Sequence, residues 1–66
     1  MVSEKFGANA GLVWNLLDEK SLMNVKDVKK STKLTDKDLF AAFGWLARED
    51  KINIVEENGE LIVSLL

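Results

Sequence analysis

Residues 51–66 read KINIVEENGELIVSLL, and this stretch decides how the chain ends. Asn58-Gly59 lies between two segments rich in β-branched residues, Lys51–Glu57 and Glu60–Leu66. Asn-Gly is typical of a type I′ turn, because both central residues of that turn must tolerate a positive φ. We therefore expect a β-hairpin whose two-residue turn fixes the strand register. The predicted register pairs Glu57 with Glu60, Glu56 with Leu61, Val55 with Ile62, Ile54 with Val63 and Ile52 with Leu65.

The two faces of this hairpin differ in polarity, because successive side chains of a strand point to opposite sides. The face expected to close the core carries Ile52, Ile54, Leu61, Val63 and Leu65. The opposite face carries Asn53, Val55, Ile62, Ser64 and Leu66. This second face should be solvated, yet most of its residues are branched and apolar.

Upstream of the hairpin, the sequence predicts a third helix. Apolar residues recur every three or four positions between Leu39 and Leu46, which is the spacing of one helix face. Thr35 is expected to cap this helix, with Asp38 completing a Thr-x-x-Asp capping box. The helix is expected to end near Asp50.

A second helix precedes the third. Asn24 is a good N-cap for a helix over Val25–Thr32, with Asp27 at the third helical position. A tight link at Lys33-Leu34 then leads into the third helix. The residues just before the second helix predict an extended connection, with a short strand as an option at Leu22–Asn24.

A first helix is expected from Ser3 or Gly7 to Lys20, with an apolar stripe wider than one core contact needs. Gly7 and Gly11 are poor helix formers, and glycine at such positions often marks close approach by another backbone. The helices and the hairpin predict one core. Its expected members are Phe6, Ala10, Val13, Trp14, Leu17, Val25, Val28, Leu34, Leu39, Ala42, Phe43, Leu46, Ile52, Ile54, Leu61, Val63 and Leu65.

Composition limits the classes of function. With 66 residues, positions 1–66 are expected to form one domain near the lower size limit for independent folding. The absence of His, Cys and Tyr excludes imidazole acid–base chemistry, thiol nucleophiles and thiolate zinc sites. We therefore expect no enzyme, no cofactor and no metal site. Residues 1–6 lack the apolar segment of a signal peptide, so a cytoplasmic location is expected.

Two stretches carry a family resemblance: FGANAGLVW at residues 6–14 and DLFAAFGWLAREDKI at residues 38–52. They resemble the signature stretches of a family of small, stand-alone winged helix-turn-helix proteins to which no biochemical activity is assigned. The resemblance covers nearly the whole chain. It implies an α+β winged helix-turn-helix fold, with three helices followed by a two-stranded β-hairpin wing. The wider superfamily implies duplex DNA binding with the third helix in the major groove, which is an analogy from fold.

The charge distribution supports DNA binding. Residues 24–48 carry a net charge of +3, whereas residues 49–66 carry −4. The positive segment coincides with the predicted helix-turn-helix unit, where cations that neutralise phosphates are needed. The alternative interpretation is that these cations form the solvated faces of two amphipathic helices. The candidate nucleic-acid contacts are Lys26, Lys30, Lys33, Lys37 and Arg48.

Two features predict that any DNA binding is weak. The outward face of the third helix offers only Lys37 and Arg48, and the helix has no Asn, Gln, Ser or Thr to read a base edge. The wing tip, residues 56–60, carries three glutamates that phosphate groups would repel. The first functional hypothesis is therefore a transcription-regulator-like module that binds duplex DNA weakly.

The alternative hypothesis is a protein-interaction or homodimerisation module that has kept the fold without DNA binding. Trp45 lies off the core direction of the third helix, and exposed apolar patches with a tryptophan are typical of interfaces. The plainer interpretation is that Trp45 folds over the core edge and that the outer hairpin residues are scattered surface side chains. The candidate interface residues are Trp45, Val55, Ile62 and Leu66, with a second copy or another protein as partner. No membrane or small-molecule partner is expected.

Overall fold

A computed structural model describes residues 2–66, with side chains from Glu4 onward. The described chain forms an α+β winged helix-turn-helix, in which the second and third helices are the helix-turn-helix and the last two strands are the wing. No helix in this part of the chain combines the length and apolarity needed to span a bilayer. The elements are α1 (Val2–Lys20), β1 (Leu22–Asn24), α2 (Val25–Thr32), α3 (Asp36–Arg48), β2 (Ile52–Glu57) and β3 (Glu60–Leu65).

The first helix has the longer of its two predicted extents to within one residue. It begins at Val2, before both expected starts, Ser3 and Gly7. Gly7 and Gly11 therefore lie in the helix interior, where each costs about 1 kcal/mol relative to alanine. The helix forms nonetheless, because burial of its apolar stripe against α3 and the sheet contributes more free energy than the two glycines cost.

Side-chain caps set the limits of α2 and α3. The Asn24 side chain accepts a hydrogen bond from the Lys26 N–H at 2.9 Å, and α2 has the predicted bounds. Thr35 Oγ1 accepts from the Asp38 N–H at 3.2 Å at the start of α3. Helix α3 ends at Arg48, slightly before the predicted end, because Asp50 adopts a left-handed backbone with φ 57°.

The predicted capping box at the start of α3 forms only in part. The carboxylate of Asp38 is directed across to α1, where Oδ2 lies 3.2 Å from Lys5 Nζ. Oδ1 is buried without a hydrogen-bond partner among the described residues. The side chain therefore joins α1 to α3 instead of bonding back to Thr35, because an opposite charge on the facing helix competes for it.

The sheet has three strands in the order β1-β3-β2, and both pairings are antiparallel. The hairpin has the predicted register, including Val55 opposite Ile62 and Glu57 opposite Glu60. The optional short strand is present as β1, which pairs along β3 with Met23 opposite Val63. The turn residues Asn58 and Gly59 both have positive φ, as a type I′ turn requires.

The core lies between the three helices and the inner face of the sheet. Its buried apolar residues were all predicted from the sequence: Ala10, Val13, Leu17, Val25, Val28, Leu39, Ala42, Phe43, Leu46, Ile52 and Val63. Other predicted members are partly buried against this cluster: Trp14, Leu34, Ile54, Leu61 and Leu65.

Three residues correct the predicted core: Phe6 lies outside it, and Leu16 and Met23 pack against it without having been predicted. Phe6 is only half-buried and lies outside the cluster, although it falls on the apolar stripe of α1. Met23, in contrast, packs against the core although the sequence pattern did not single it out. Its burial follows from the pairing of β1 with β3, which turns Met23 to the same side as Val63.

Candidate nucleic-acid interface

One flank of α2 is lined by lysines. Val25 and Val28 are buried and orient the helix. With these two residues inward, the helical spacing places four lysines on a single flank and leaves Asp27 and Ser31 on the other. The lysines of this flank are Lys26, Lys29, Lys30 and, just past the end of the helix, Lys33.

An ion pair shows which way this flank faces. Lys29 Nζ lies 2.7 Å from Asp36 Oδ1, at the first residue of α3. The lysine flank therefore faces the start of α3, and its cations continue onto the exposed side of that helix. Because Lys29 is paired with a carboxylate, it is less available to phosphate than its neighbours are.

The candidate cations, which we call the cationic face, lie on α2, on the link that follows it and on α3: Lys26, Lys30, Lys33, Lys37 and Arg48. All of them are exposed. Within residues 2–66, none forms an ion pair. The face runs from α2 through the link between the helices to the last turn of α3.

Lys33 occupies an unusual position in this face. It is the C-cap of α2, with φ 60° and ψ 21° in the left-handed region, and its N–H donates to the Lys29 carbonyl at 2.8 Å. Glycine is the usual residue there, because a Cβ costs free energy in this conformation. The sequence pattern placed Lys33 in the link, but nothing in it indicated the left-handed backbone.

The exposed stripe of α3 has cations at its ends and small residues between them. Lys37 and Arg48 lie in the first and last turns, with Ala41 and Gly44 between them on the same face. A Cβ added at Gly44 would have no neighbour within 4 Å. Ala41, Gly44 and Arg48 line a shallow open depression together with Trp45 and Glu49.

Aromatic rings flank this stripe on both sides. Phe40, on the side toward α2, is largely exposed and makes an edge-to-face contact with Phe43 at a centroid distance of 5.7 Å. Trp45, on the side toward α1, is 39% exposed. Its ring lies against Gly7, where an added Cβ would be 3.8 Å from Trp45 Cζ2. Phe40 was not among the residues predicted for this surface, although the helical spacing places it one turn from Lys37.

The wing tip is acidic and is held to α2. Glu56, Glu57 and Glu60 are all exposed. Asn24 Nδ2 donates a hydrogen bond to Glu60 Oε2 at 3.0 Å, which places this carboxylate at the N-terminal end of α2. Lys33 lies at the other end of that helix, which has eight residues and is therefore about 12 Å long. Lys33, in the link, is thus farther than Lys26 from the wing carboxylate of Glu60.

The candidate interface residues fall on two separate surfaces. Val55, Ile62 and Leu66 share the outer face of the sheet, whereas Trp45 lies between α1 and α3 on the helical side. Val55 and Leu66 are exposed, and Ile62 is half-buried. Leu22, which is 59% exposed, joins the outer face through the pairing of β1 with β3. That contribution needs a long-range strand pairing, so the local pattern did not indicate it.

The described chain offers little scope for metal binding. Among residues 2–66, no three Asp or Glu side chains come together in a group that could hold a metal ion.

Comparison with known proteins identifies the family of this fold. The family model for the winged helix-turn-helix domain (DUF2582) matches residues 1–65. The chain belongs to this winged helix-turn-helix family. The uncharacterised protein MJ1608 of Methanocaldococcus jannaschii is 33% identical over 63 residues, which cover 92% of this chain and 90% of that protein. Winged helix-turn-helix folds are commonly used for DNA binding.

A solved structure shows the same family fold. The solution NMR structure of protein BT2368 from Bacteroides thetaiotaomicron matches with a TM-score of 0.87 at 34% sequence identity. The match covers 98% of this chain and 79% of the other. The winged helix-turn-helix arrangement of α2, α3 and the wing is therefore shared with an experimentally determined structure.

Proposed function

We propose that this winged helix-turn-helix protein binds duplex DNA weakly and with little sequence preference, as a transcription-regulator-like module. The observation that carries the proposal is the cationic face, because its five side chains are exposed and none is paired with a described carboxylate. Exposed, unpaired cations on a helix-turn-helix are positioned to displace the counterions of a phosphate backbone.

The exposed stripe of α3 supports this mode of binding. Lys37 and Arg48 are about 16 Å apart along the helix axis, at a rise of about 1.5 Å per residue. Ala41 and Gly44 between them allow the helix backbone to come close to a groove. The helix has no side chain of the Asn, Gln, Ser or Thr type for reading base edges. Phosphate contacts therefore supply most of the affinity.

The backbone of Lys33 also supports the proposal. A left-handed lysine at a helix C-cap costs stability that glycine would not. It places a cation in the link between α2 and α3, where both helices can approach the same phosphates. A competing explanation is that the charge interacts favourably with the C-terminal dipole of α2. Only the first explanation predicts that removing the Lys33 charge weakens DNA binding.

The test is an NMR titration of isotope-labelled protein with a mixed-sequence duplex at about 50 mM salt, where binding through phosphates is strong. We expect salt-sensitive shifts at the cationic face and none at the end of α1. If all five cations contact phosphates, doubling the salt lowers the affinity about twentyfold.

A matched pair of variants makes this titration specific. Lys37→Gln removes a cation from the face, whereas Lys20→Gln removes one from the far end of α1. We expect the first to weaken duplex binding severalfold and the second to leave it unchanged. The absence of shifts up to millimolar duplex, or equal losses in the two variants, would refute the proposal.

A second candidate function, self-association, is favoured by a different observation. The outer face of the sheet exposes Leu22 and Val55 and half-exposes Ile62, on the side that faces away from the helices. A small domain gains nothing in its own core from apolar side chains on that side. A contiguous apolar patch of this kind is typical of an interface.

A further inference from the structure

The free edge of the sheet is β2. In the strand order β1-β3-β2, the wing strand Ile52–Glu57 pairs with β3 on one side only. An unpaired strand edge presents backbone N–H and C=O groups that can bond to another strand. At six residues, β2 is long enough to form a pairing of its own, whereas the opposite edge, β1, has only three.

The hydrogen bonds of the hairpin show which groups point to the free edge. The Leu66 N–H donates to the Lys51 carbonyl at 3.0 Å. Because bonded and non-bonded pairs alternate along an antiparallel ladder, Asn53, Val55 and Glu57 also direct their backbone groups toward β3. Ile52, Ile54 and Glu56 direct theirs outward. Within residues 2–66, no backbone group of another element bonds to these outward groups.

We propose that a second copy of this chain pairs with this edge, β2 against β2, antiparallel, with Ile54 opposite Ile54. This inference deepens the second candidate function, self-association, and does not depend on DNA binding. The register follows from the ladder, because outward-pointing residues can form bonded pairs only with outward-pointing residues. A pairing centred on Ile54 engages all three outward-pointing residues of each copy. Ile54 lies opposite Ile54, and Ile52 lies opposite Glu56 of the second copy.

Charge complementarity selects the same register. With Ile54 at the centre, Lys51 of one copy lies directly opposite Glu57 of the other, and two-fold symmetry forms this pair at both ends. The pair occupies a non-bonded position of the ladder, where opposing side chains are closest. Shifting the strands by two residues removes it. In the free chain, Lys51 Nζ has only a distant contact with Glu49 Oε2, at 4.0 Å.

The joined sheet also brings the apolar outer faces together. Val55 lies opposite Asn53 of the second copy, and the two valines are diagonal neighbours within reach of each other. The assembly is closed, because each copy uses its one long edge and presents only the short β1 at the outside. The carboxylates of Glu56 and Glu57 disfavour pairing of β2 with any strand that has no lysine opposite them. The contact is therefore selective for a second copy of this chain.

Charge reversal tests the proposal without disturbing the core, because Lys51 and Glu57 are both exposed. Sedimentation velocity on the whole chain, from about 10 μM to 1 mM, should show a reversible equilibrium between the 7.4 kDa monomer and a dimer. Lys51→Glu alone, or Glu57→Lys alone, should weaken self-association at least tenfold. Lys20→Glu, a reversal on α1, should leave it unchanged.

Mixing the two variants gives the sharpest result. Each repels itself, but a Lys51→Glu chain and a Glu57→Lys chain present opposite charges at both ends of the pairing, so the mixture should dimerise as the native protein does. A dimer that is insensitive to these reversals, or a mixture that stays monomeric, overturns the β2 pairing while self-association stands. A single 7.4 kDa species at all concentrations of the native chain overturns both.

Discussion

The side chain of Asn24 joins the wing to the helix-turn-helix through Glu60. Its Nδ2 donates to Glu60 Oε2 at 3.0 Å, while its Oδ1 accepts the Lys26 N–H at 2.9 Å. One amide group therefore caps α2 and holds a wing carboxylate beside the N-terminal end of that helix, where a negative charge is favourable.

The first prediction separates these two roles of Asn24. Asn24→Ser keeps an N-cap oxygen but loses the donor to Glu60, so we expect a loss of less than about 0.5 kcal/mol, because the lost bond is exposed. Asn24→Ala loses both, and should lower the free energy of unfolding by about 1–2 kcal/mol. Urea denaturation followed by circular dichroism measures both. Equal losses in the two variants would show that the cap contributes nothing.

The second prediction concerns the helical glycines. A Cβ at Gly11 would have no neighbour within 4 Å, and one at Gly7 would meet only Trp45 Cζ2 at an ordinary 3.8 Å. Gly11→Ala and Gly7→Ala should therefore each stabilise the protein by about 0.5–1 kcal/mol, since alanine is the better helix former. Thermal unfolding gives the sign of the effect.

A larger residue should distinguish the two glycine positions. Gly7→Leu displaces the Trp45 ring toward solvent and should shift the tryptophan fluorescence to the red, whereas Gly11→Leu should shift it less, because a Cβ at Gly11 meets no atom within 4 Å. Unchanged fluorescence in Gly7→Leu would contradict the packing of Trp45 against α1.

The third prediction uses the left-handed backbone of Lys33. Lys33→Gly relieves the strain of a Cβ at φ 60° and should stabilise the fold by a few tenths to about 1 kcal/mol. The same change removes a cation from the proposed interface and should weaken duplex binding severalfold. Lys33→Gln keeps the strain and removes the charge, so it should weaken binding equally without stabilising the fold. If Lys33→Gly binds duplex as well as the native chain, the cation serves only the dipole of α2.

The fourth prediction compares one substitution on the two faces of the sheet. Val63 is fully buried on the inner face, and Val55 is 42% exposed on the outer face. Val63→Ala should cost about 2 kcal/mol, from lost burial and the cavity left behind. Val55→Ala should cost under about 0.5 kcal/mol in dilute solution. Denaturant midpoints of the two variants test the assignment of faces, which similar losses would contradict.

The parts of the fold that local sequence signals determine were predictable. Asn24 and Thr35 cap the helices that follow them, and Asn58-Gly59 fixes the hairpin register, because each signal acts over a few residues. The buried faces followed from helical and strand periodicity. These signals were sufficient to predict the order of elements and every fully buried residue.

The remaining features depend on contacts between distant parts of the chain. The partner of Asp38 is Lys5 on another helix, and Leu22 reaches the outer face only because β1 pairs with β3. The left-handed backbone of Lys33 arises from the way α2 must turn into α3. The cationic residues could be named from the sequence. The finding that none of the five forms an ion pair with another described side chain, from Glu4 to Leu66, required the packed helices.

The division of charge between helix-turn-helix and wing gives the molecule an electric axis. Residues 24–48 carry +3 and residues 49–66 carry −4, so the positive and negative centres do not coincide. The electric field of a polyanion exerts a torque on a protein with this charge distribution, which turns the wing away from the polyanion before contact. Because the net charge is −2, attraction sets in only within about a Debye length, near 8 Å in physiological salt, where the nearer centre dominates. For the proposed binding to duplex DNA, this separation of charge favours encounters in which the helix-turn-helix arrives first.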